Sequence, residues 1–558
     1  MSVEEVDQKD ERFFNLLSDP WILVRNNLGE IEELSILEAF RRAHELDCLE
    51  GELPTQNVAI LRFLLAILYA VFTRVDEKGA PSVLEDLDLA EQRDVALGRW
   101  KALWDMPELP MQPIQQYLDY YQDSFWLIHP EKPFYQVSGL RSSNETKDTS
   151  QMVSDIPPRL ERRFFSLRNG VDAIELSFSE AVRWLINLHA WDYAGKKAVT
   201  TDPLGNRGSE NGGGTGWLGK LGVLYIKEES LAKTLLMNLV FLNSKEELLA
   251  YGLPIWEDQF RNKRTACKLD KRPEGFVELL THQSRRVFLS THQGRVNGVT
   301  ISYGDVFEKD NTLVEQMSSW HVSSLSKTVP ILIPSTHKAG RSLWRDLPSL
   351  LPQVAGEKQE IVAGVIGWSR ILKNNGYVDG SISLVSVGIE YGAMQGVVSN
   401  LISDGLTINA DLLSHLNQAW VNRILSALDK TDDCIKQFGR LAQQFAQASG
   451  GSDGKSEKSA AYDLAYFTFD AKFRNWLASL SPGVDDLEER VIEWQNDASR
   501  TIYQLGQDLY ETLSPQAIIG QRGLQDSKIV AAPVAYLFFR KGIVKIMKSW
   551  KEESDEQS

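Results

Sequence analysis

The chain has 558 residues, with 60 Lys and Arg against 76 Asp and Glu, and its formal net charge is −16. This acidic balance argues against a nucleic-acid-binding protein that acts alone, because such proteins usually carry a basic excess across the whole domain. A composition with 43% hydrophobic and 24% charged residues excludes wholesale disorder, and the length predicts roughly two to four domains. Cys48, Cys267 and Cys434 lie far apart, which excludes a disulfide framework and a cysteine-rich zinc site.

The first 50 residues predict a hairpin followed by a helix. Residues 21–25 and 31–34 are strand-like and are separated by a turn that contains Asn and Gly. Ser35 precedes a helical pattern and Glu38 stands three residues later, which is the S-x-x-E capping box. We therefore predict a helix from Ser35 to about Leu46.

A second helix is predicted from Pro54, with an apolar run from Val58 to Phe72. This run contains Arg62 and spans 15 residues, fewer than the roughly 20 that a membrane span requires. We interpret it as the buried helix of a soluble protein. The N-terminal segment MSVEEVDQKDE is acidic, whereas a secretory signal is basic and then apolar. We therefore expect no targeting segment, no membrane partner and a cytoplasmic protein.

Beyond residue 80, helices and strands mix without a regular βαβ alternation, which predicts an α+β fold. The predicted helices cover 89–104, 112–123, 179–194, 229–243 and 359–375. The predicted strands cover 285–290, 298–303, 329–333 and 382–388. Two long polar loops, 138–158 and 197–216, interrupt these elements, and loops of this length in a compact domain are usually functional or mobile.

After residue 408 the pattern becomes purely helical, because apolar residues recur every three or four positions in four stretches. These stretches cover 413–445, 462–480, 487–513 and 533–550. We therefore predict an α+β N-terminal domain over residues 1–408 and a C-terminal four-helix bundle over residues 409–558.

Residues 214–219 match the G-x-G-x-x-G pattern of dinucleotide-binding loops through Gly214, Gly216 and Gly219. That pattern binds a pyrophosphate where a strand precedes it and a helix opens inside it. Here a polar loop precedes the pattern and a strand-like run, 223–226, follows it. We therefore favour a glycine-rich loop whose backbone comes close to a phosphate or a base edge.

No sequence pattern indicates catalysis. The eight histidines include no H-x-x-x-H or H-E-x-x-H pair that would hold a metal. The sequence contains neither a G-x-S-x-G nucleophile elbow nor a P-loop. We predict a protein that is not an enzyme and that uses no cofactor and no metal.

Basic residues cluster in four segments, 159–168, 261–272, 338–345 and 541–548. Taken singly, each cluster has an ordinary interpretation as a solvated surface. In the first cluster arginines flank Phe164 and Phe165, an arrangement that suits phosphate contact beside a stacking ring. The residues that we predict to contact a nucleic-acid backbone are Arg162, Arg163, Lys263, Arg264, Lys268, Lys338 and Arg341.

Six sequence strings occur in a recognisable order along most of the chain. The first, near the N-terminus, is FFNLLSDPWILVRNNLGEIEELSILEAFRRAHEL followed by LPTQNVAILRFLLAIL. The others are YLDYYQDSFWLIHPEKPFYQV, LSFSEAVRWLINLHAWDYAGKK, LTHQSRRVFL, AGRSLWRDLPSLL and VGIEYGAMQGVVSNLISDGLTI. In these strings the chain resembles the CasA family, the large subunit of the type I-E CRISPR Cascade complex. That family has an α+β N-terminal domain and a C-terminal four-helix bundle.

The resemblance implies a non-enzymatic role in antiviral defence. In the family, a guide RNA lies on other Cascade subunits, and base pairing supplies most of the sequence specificity. The large subunit reads a protospacer-adjacent motif in double-stranded target DNA from the minor groove, where the code is degenerate. It then parts the strands to begin the R-loop and recruits a helicase-nuclease. Some members carry a cysteine cluster that this chain lacks, so we expect no zinc.

The resemblance also implies site residues. The glycine loop that approaches the minor groove corresponds to Asn211, Gly212, Gly213, Gly214 and Thr215. The strand wedge, a hairpin tip whose glutamine enters beneath the motif, corresponds to Met394, Gln395 and Gly396. The family's lysine finger has no lysine here, and the basic residue at that turn is Arg295. The loop that contacts the guide and the groove corresponds to Phe165, Arg168 and Asn169.

Two other functions stay open. The first is a helical scaffold or adaptor without DNA contact, for which charge reversal in 159–168 and 261–272 would leave duplex binding unchanged. The second is a nucleotide-binding enzyme that acts through residues 214–219, which NAD or ATP would stabilise thermally.

Overall fold

A computed structural model describes residues 12–142, 147–154, 168, 174–203, 205, 207, 213–258, 272–323, 330–351, 360–450, 453–522 and 529–557. The chain divides into two compact units. Unit 1 comprises the described residues within Met1–Ala339, Lys358–Tyr377 and Ser383–Gly405. Unit 2 comprises the described residues within Gly340–Glu357, Val378–Ile382 and Leu406–Ser558.

The elements are numbered in chain order. The strands are β1 (Phe13–Asn15), β2 (Ile22–Asn26), β3 (Ile31–Leu34), β4 (Leu46–Leu49), β5 (Trp126–Ile128), β6 (Arg141–Ser142), β7 (Thr200–Thr201), β8 (Val223–Lys227), β9 (Arg285–His292), β10 (Arg295–Tyr303), β11 (Trp320–Val322), β12 (Leu332–Pro334), β13 (Glu360–Ile361), β14 (Ser381–Tyr391), β15 (Val398–Asn409), β16 (Gln521–Arg522) and β17 (Ile529–Val530). The α-helices are α1 (Ile36–Arg41), α2 (Pro54–Phe72), α3 (Leu89–Asp105), α4 (Met111–Tyr120), α5 (Phe178–Trp191), α6 (Leu231–Met237), α7 (Phe276–Leu280), α8 (Gly364–Asn374), α9 (Gln418–Ala448), α10 (Lys455–Ala478), α11 (Leu487–Glu511), α12 (Pro515–Ile519) and α13 (Ala532–Gln557).

The N-terminal hairpin is confirmed. Strands β2 and β3 are antiparallel, with Ile22 opposite Leu34, and β4 pairs with the other edge of β2 to complete a three-stranded sheet. Of the helices predicted between residues 80 and 375, four are confirmed as α3, α4, α5 and α8. The mixture of strands and helices confirms an α+β architecture for this part of the chain.

Helix α1 is shorter than predicted. The Ser35 hydroxyl accepts a hydrogen bond from the Glu38 N–H at 3.3 Å, as expected for an N-cap. The Glu38 carboxylate pairs with Arg41 instead of completing the capping box, and the helix ends at Arg41. The prediction that it continues to Leu46 is wrong, because Leu46 and Leu49 are buried in β4, where pairing with β2 satisfies the backbone.

Helix α6 is also shorter than the predicted 229–243, since it ends at Met237. The side chain of Asn238 accepts from the N–H of Ile226 at 3.0 Å and donates to its C=O at 2.7 Å. These bonds to β8 hold Asn238 against the strand, and the chain leaves the helix there.

Helix α2 lies in the core of unit 1, where it contacts α4, α5, α6 and α7. Among the described residues it is the one helix long and apolar enough to cross a membrane, with a mean hydropathy of 1.7, yet 94% of that window is buried inside the protein. Its interpretation as a buried helix is confirmed.

A buried ion pair anchors α2 to a distant loop. The Arg62 guanidinium donates to both carboxylate oxygens of Glu315 at 2.9 Å, and both side chains are almost fully buried. Glu315 also accepts from the indole N–H of Trp217 at 2.7 Å. Burial acts to raise the pKa of Glu315, but the Arg62 charge and these hydrogen bonds hold that pKa below its ordinary value.

One antiparallel sheet follows the G-x-G-x-x-G pattern. Its strand order is β15-β14-β8, and β8 runs antiparallel to β14. The last glycine of the pattern, Gly219, lies in a 3-10 turn, Leu218–Lys220, and β8 follows that turn. No α-helix therefore opens inside the pattern, which argues against a dinucleotide fold.

The C-terminal four-helix bundle is confirmed in unit 2. Helix α9 contacts α10, α11 and α13, and α11 also contacts α10 and α13. The core contains stacked Trp476 and Trp494, with ring centroids 5.3 Å apart. The first helix begins later than predicted: Leu416 is 93% exposed, because the Ser414 hydroxyl accepts from its N–H and starts a separate 3-10 turn before α9.

We predict that Glu315→Gln lowers the free energy of unfolding of unit 1 by about 3–5 kcal/mol at pH 7, because it leaves the Arg62 charge buried without its partner. Since folding lowers the pKa of Glu315, the wild-type advantage is present above the ordinary value of 4.5 and is lost as the pH falls through the lowered pKa. Urea unfolding measured at several pH values checks both statements.

The matched control is Glu45→Gln, which breaks an exposed pair with Arg42 at 3.4 Å. Its expected cost is below about 1 kcal/mol. Equal losses in the two variants would contradict the assigned role of the buried pair.

Candidate nucleic-acid interface

The glycine loop is described from Gly213 onward, and Asn211 and Gly212 lie outside the described residues. A Cβ atom at Gly213 would collide with the ring of Tyr303, so this position excludes any side chain. Gly214 has a φ of +64°, a left-handed conformation that glycine adopts without strain. Open space surrounds the position that its side chain would occupy. Gly213 and Thr215 are buried, whereas Gly214 is partly exposed. Of these three residues, Gly214 is therefore the one whose backbone is partly exposed.

The buried guanidinium of Arg285, at the start of β9, holds the loop from behind. One of its nitrogens donates to the C=O of Gly214 at 2.9 Å and of Tyr193 at 3.1 Å. Its Nε donates to the carboxylate of Asp192, and its carbon lies 4.8 Å from the centre of the Tyr303 ring. A single cation thus joins the loop, the end of α5 and β10.

Asp192 carries the negative charge of this cluster. Its carboxylate also lies 2.6 Å from the Lys197 ammonium, and both side chains are buried. Burial acts to raise the pKa of Asp192, but Lys197 and Arg285 hold that pKa below its ordinary value. The carboxylate is therefore ionised at neutral pH and balances one of the two cations.

The predicted wedge lies at the tip of the hairpin formed by β14 and β15. The Gly392 N–H donates to the C=O of Val397 at 2.9 Å and closes the turn. Met394 and Gln395 have φ of +53° and +54°, both in the left-handed region. Met394 is 94% exposed and Gln395 is exposed as well. The tip therefore presents two side chains on a strained backbone.

The hairpin tip is tied to the segment that follows α5. The Ala194 N–H donates to the C=O of Gln395 at 2.8 Å. The Tyr391 hydroxyl donates to the C=O of Trp191. The tip is therefore held by the backbone of Gln395 and by the Tyr391 hydroxyl, while the side chains of Met394 and Gln395 stay exposed.

Arg295 opens β10 directly after the tight turn at Gln293 and Gly294, both with positive φ. Its guanidinium lies 3.5 Å from the carboxylate of Glu175 and is 38% exposed. Arg295 therefore lies at a tight turn, as the sequence predicts, and pairs there with Glu175; its role as a lysine-finger counterpart stays a prediction.

Of the loop predicted to contact the guide, Phe165 and Asn169 lie outside the described residues. Arg168 is described and lies 2.7 Å from Glu52 and 2.9 Å from Glu180. Glu180 also forms a complete capping box with Ser177 at the start of α5. Arg168 is thus bound to two carboxylates of unit 1.

The basic clusters are described in part. Lys338 is exposed in unit 1, and Arg341 in unit 2 pairs with Asp346 at 2.7 Å. The cluster residues that lie outside the described part of the chain are Arg162, Arg163, Lys263, Arg264 and Lys268. Their predicted contacts with a nucleic-acid backbone stay predictions.

The described residues include no group of three or more His, Cys, Asp or Glu side chains that could hold a metal ion. The prediction that the protein uses no metal stays a prediction.

The sequence model of a family described as CRISPR-associated protein Cse1 matches residues 15–505. The chain belongs to the Cse1 family. A relative from Thermus thermophilus, the CRISPR-associated protein CasA/Cse1, is 24% identical over 457 residues, which are 80% of this chain and 81% of the relative. The crystal structure of Thermobifida fusca Cse1 is 31% identical and has a TM-score of 0.82, over 97% of this chain and 99% of that chain.

One further similar chain belongs to a structure described as a CRISPR RNA-guided surveillance complex. It shares the fold at 16% identity and a TM-score of 0.66, over 89% of this chain and 99% of its own length. These similarities confirm the resemblance to the CasA family that the sequence strings carried.

Sequence reasoning missed the buried residues that hold the site of this Cse1-family chain together. Asp192 and Lys197 lie in HAWDYAGKK, and Arg285 lies in LTHQSRRVFL. Two of the six recognised strings thus contained them. Nothing in the sequence, however, indicated that Arg285 pairs with a carboxylate 93 residues earlier.

Proposed function

We propose that this chain is the large subunit of a type I-E CRISPR surveillance complex and that it acts in the cytoplasm without catalysing a reaction. Its partners are the other Cascade subunits with their guide RNA, the double-stranded target DNA and a helicase-nuclease that it recruits. Membership of the Cse1 family and the shared fold with a chain of an RNA-guided surveillance complex support the assignment. Base pairing then supplies most of the specificity, and this subunit supplies the first recognition step.

The observation that carries the proposal is the proximity of the glycine loop to the hairpin tip. Asp192 accepts from the Gly216 N–H at 2.8 Å, and two residues later Ala194 donates to Gln395. A loop with partly exposed backbone and a tip with exposed side chains are therefore hydrogen-bonded to the same short segment. This arrangement suits a protein that reads a duplex and opens it at the adjacent step.

The loop suits minor-groove reading. The partly exposed Gly214 has no side chain to keep the duplex away. Because the minor groove presents a degenerate pattern of acceptors and a single guanine donor, backbone contacts there accept several related motifs.

The tip suits strand separation. An exposed Met394 matches the apolar side chains that proteins insert between base steps, and Gln395 beside it supplies polar groups for an unpaired base edge. Unstacking costs a few kcal/mol per step, which pairing with the guide RNA offsets as the R-loop grows.

We expect Gln395→Ala in the assembled complex to slow strand opening at least about tenfold, while initial duplex capture changes less than about twofold. Capture depends on the loop, and opening depends on the tip. A fluorescent base analogue next to the motif reports opening, and binding of a duplex that cannot open reports capture.

The control for that experiment is Asn400→Ala, which removes an exposed side chain in the same hairpin that bonds to Glu390. Opening by Gln395→Ala at the wild-type rate would overturn the wedge assignment. An equal loss in the control would mean that the hairpin had been damaged as a whole.

We expect Gly213→Ala to flatten the preference among motifs, because the added Cβ collides with Tyr303 and displaces the loop. Binding of the assembled complex to a library of duplexes, randomised beside a matched target, measures this preference. Gly98→Ala is the matched control, since it adds the same methyl group in α3 where nothing lies within 4 Å. Unchanged selectivity of Gly213→Ala would count against the loop.

A further inference from the structure

The segment from Trp191, the last residue of α5, to Gly195 makes backbone hydrogen bonds with Gly216, directly after the glycine loop, and with the hairpin tip. On one side, the C=O of Asp192 accepts from the Gly216 N–H at 2.8 Å. On the other side, the Ala194 N–H donates to the C=O of Gln395 at 2.8 Å. We call residues 191–195 the bridge segment, because they join the glycine loop to the hairpin tip.

A buried guanidinium determines the shape of the bridge segment. Arg285 is fully buried, and one of its terminal nitrogens donates to the C=O of Asp192 at 3.3 Å and of Tyr193 at 3.1 Å. The same nitrogen donates to Gly214 at 2.9 Å. Carbonyls from the loop and from the bridge segment therefore accept from the same nitrogen of Arg285. Neither the loop nor the bridge segment can move without breaking a hydrogen bond to this buried cation.

Two further residues complete the arrangement. The Lys197 ammonium lies 2.6 Å from the Asp192 carboxylate and 4.0 Å from the centre of the Tyr193 ring. The Tyr303 ring packs against Arg285 and excludes a side chain at Gly213, and its hydroxyl donates to the C=O of Gly195 at 2.7 Å. The loop and the bridge segment thus share a single buried polar cluster.

We propose that Asp192 and Arg285 are positioning residues that couple the glycine loop to the hairpin tip, so that a correct motif at the loop favours strand opening at the tip. This inference rests on the proposed function. A loop displaced by a wrong motif would pull on the Gly214 bond to Arg285, and the bridge segment would shift the backbone of Gln395. Correct motifs leave the cluster undisturbed and keep the tip aligned with the first base step.

A merely structural cluster would affect stability and leave the loop and the tip independent. The two cases differ in a double-mutant cycle, because coupled sites give non-additive effects and independent sites give additive ones. The loop variant is Gly213→Ala and the tip variant is Gln395→Ala. The quantity measured is the rate of strand opening by the assembled complex on a matched target.

We expect the double variant Gly213→Ala/Gln395→Ala to open DNA at least about fivefold faster than the rate obtained by multiplying the two single-variant effects. The reason is that either single change already removes the coupling, so the second change lowers the opening rate by less. In a background of Arg285→Lys the same cycle should become additive within about twofold. Lysine keeps a positive charge beside Asp192 but lacks the planar guanidinium fork that binds the Asp192 carboxylate and the backbone carbonyls at the same time.

A milder variant, Tyr391→Phe, serves as a second test in case Arg285→Lys does not fold. Tyr391→Phe removes one hydroxyl and with it the bond from the hairpin to Trp191. It should also reduce the coupling, at an unfolding temperature close to that of the wild type. If Arg285→Lys fails to fold, the cycle in the Tyr391→Phe background decides.

The outcomes separate the inference from the proposed function. If both single variants act on DNA and their effects are additive in the wild-type background, the coupling is wrong and the proposed function stands. If neither single variant changes capture or opening, the proposed function is overturned and the inference falls with it. Non-additivity that persists unchanged in the Arg285→Lys background, or in the Tyr391→Phe background where Arg285→Lys does not fold, overturns the roles of Asp192 and Arg285.

Discussion

The candidate interface depends on one buried carboxylate. Asp192 lies between the Arg285 and Lys197 cations, and its own backbone C=O holds the glycine loop through Gly216. Removing a carboxylate from water costs several kcal/mol, and the two cations offset that cost only where they stay in place. The burial of this charge therefore requires that β9, the end of α5 and the loop keep one relative position.

Other contacts near the glycine loop and the hairpin tip are also made on the side that faces the protein core. Trp217 is anchored to the buried Glu315, and Gln395 is held through its backbone oxygen. Trp217 is itself buried, whereas the Gln395 side chain stays exposed because the bond is made by its backbone oxygen. Under the proposed function, an acidic chain would contact DNA through a few backbone groups and local cations, and its net negative charge would weaken non-specific binding to DNA.

The local parts of the fold could be predicted from the sequence, because the spacing of apolar residues and the turn-forming residues depend only on neighbouring positions. The β2–β3 hairpin, the buried helix from Pro54 and the stripes of the bundle all followed from residue spacing. The strand at Leu46 could not be predicted, since its conformation depends on pairing with β2. The resemblance to a family supplied the predictions for the loop and the tip, but it could not indicate the Arg285–Asp192 pair, which depends on the folded structure.

The left-handed residues at the hairpin tip have a consequence for protein engineering. Glycine in place of Met394 or Gln395 would relieve backbone strain of roughly 1–2 kcal/mol per residue. A search for thermostable variants would therefore select glycine here and discard the two side chains at the tip. At this turn, the stability of the fold and the presentation of the two side chains oppose each other. The native sequence keeps the side chains at a cost in folding stability.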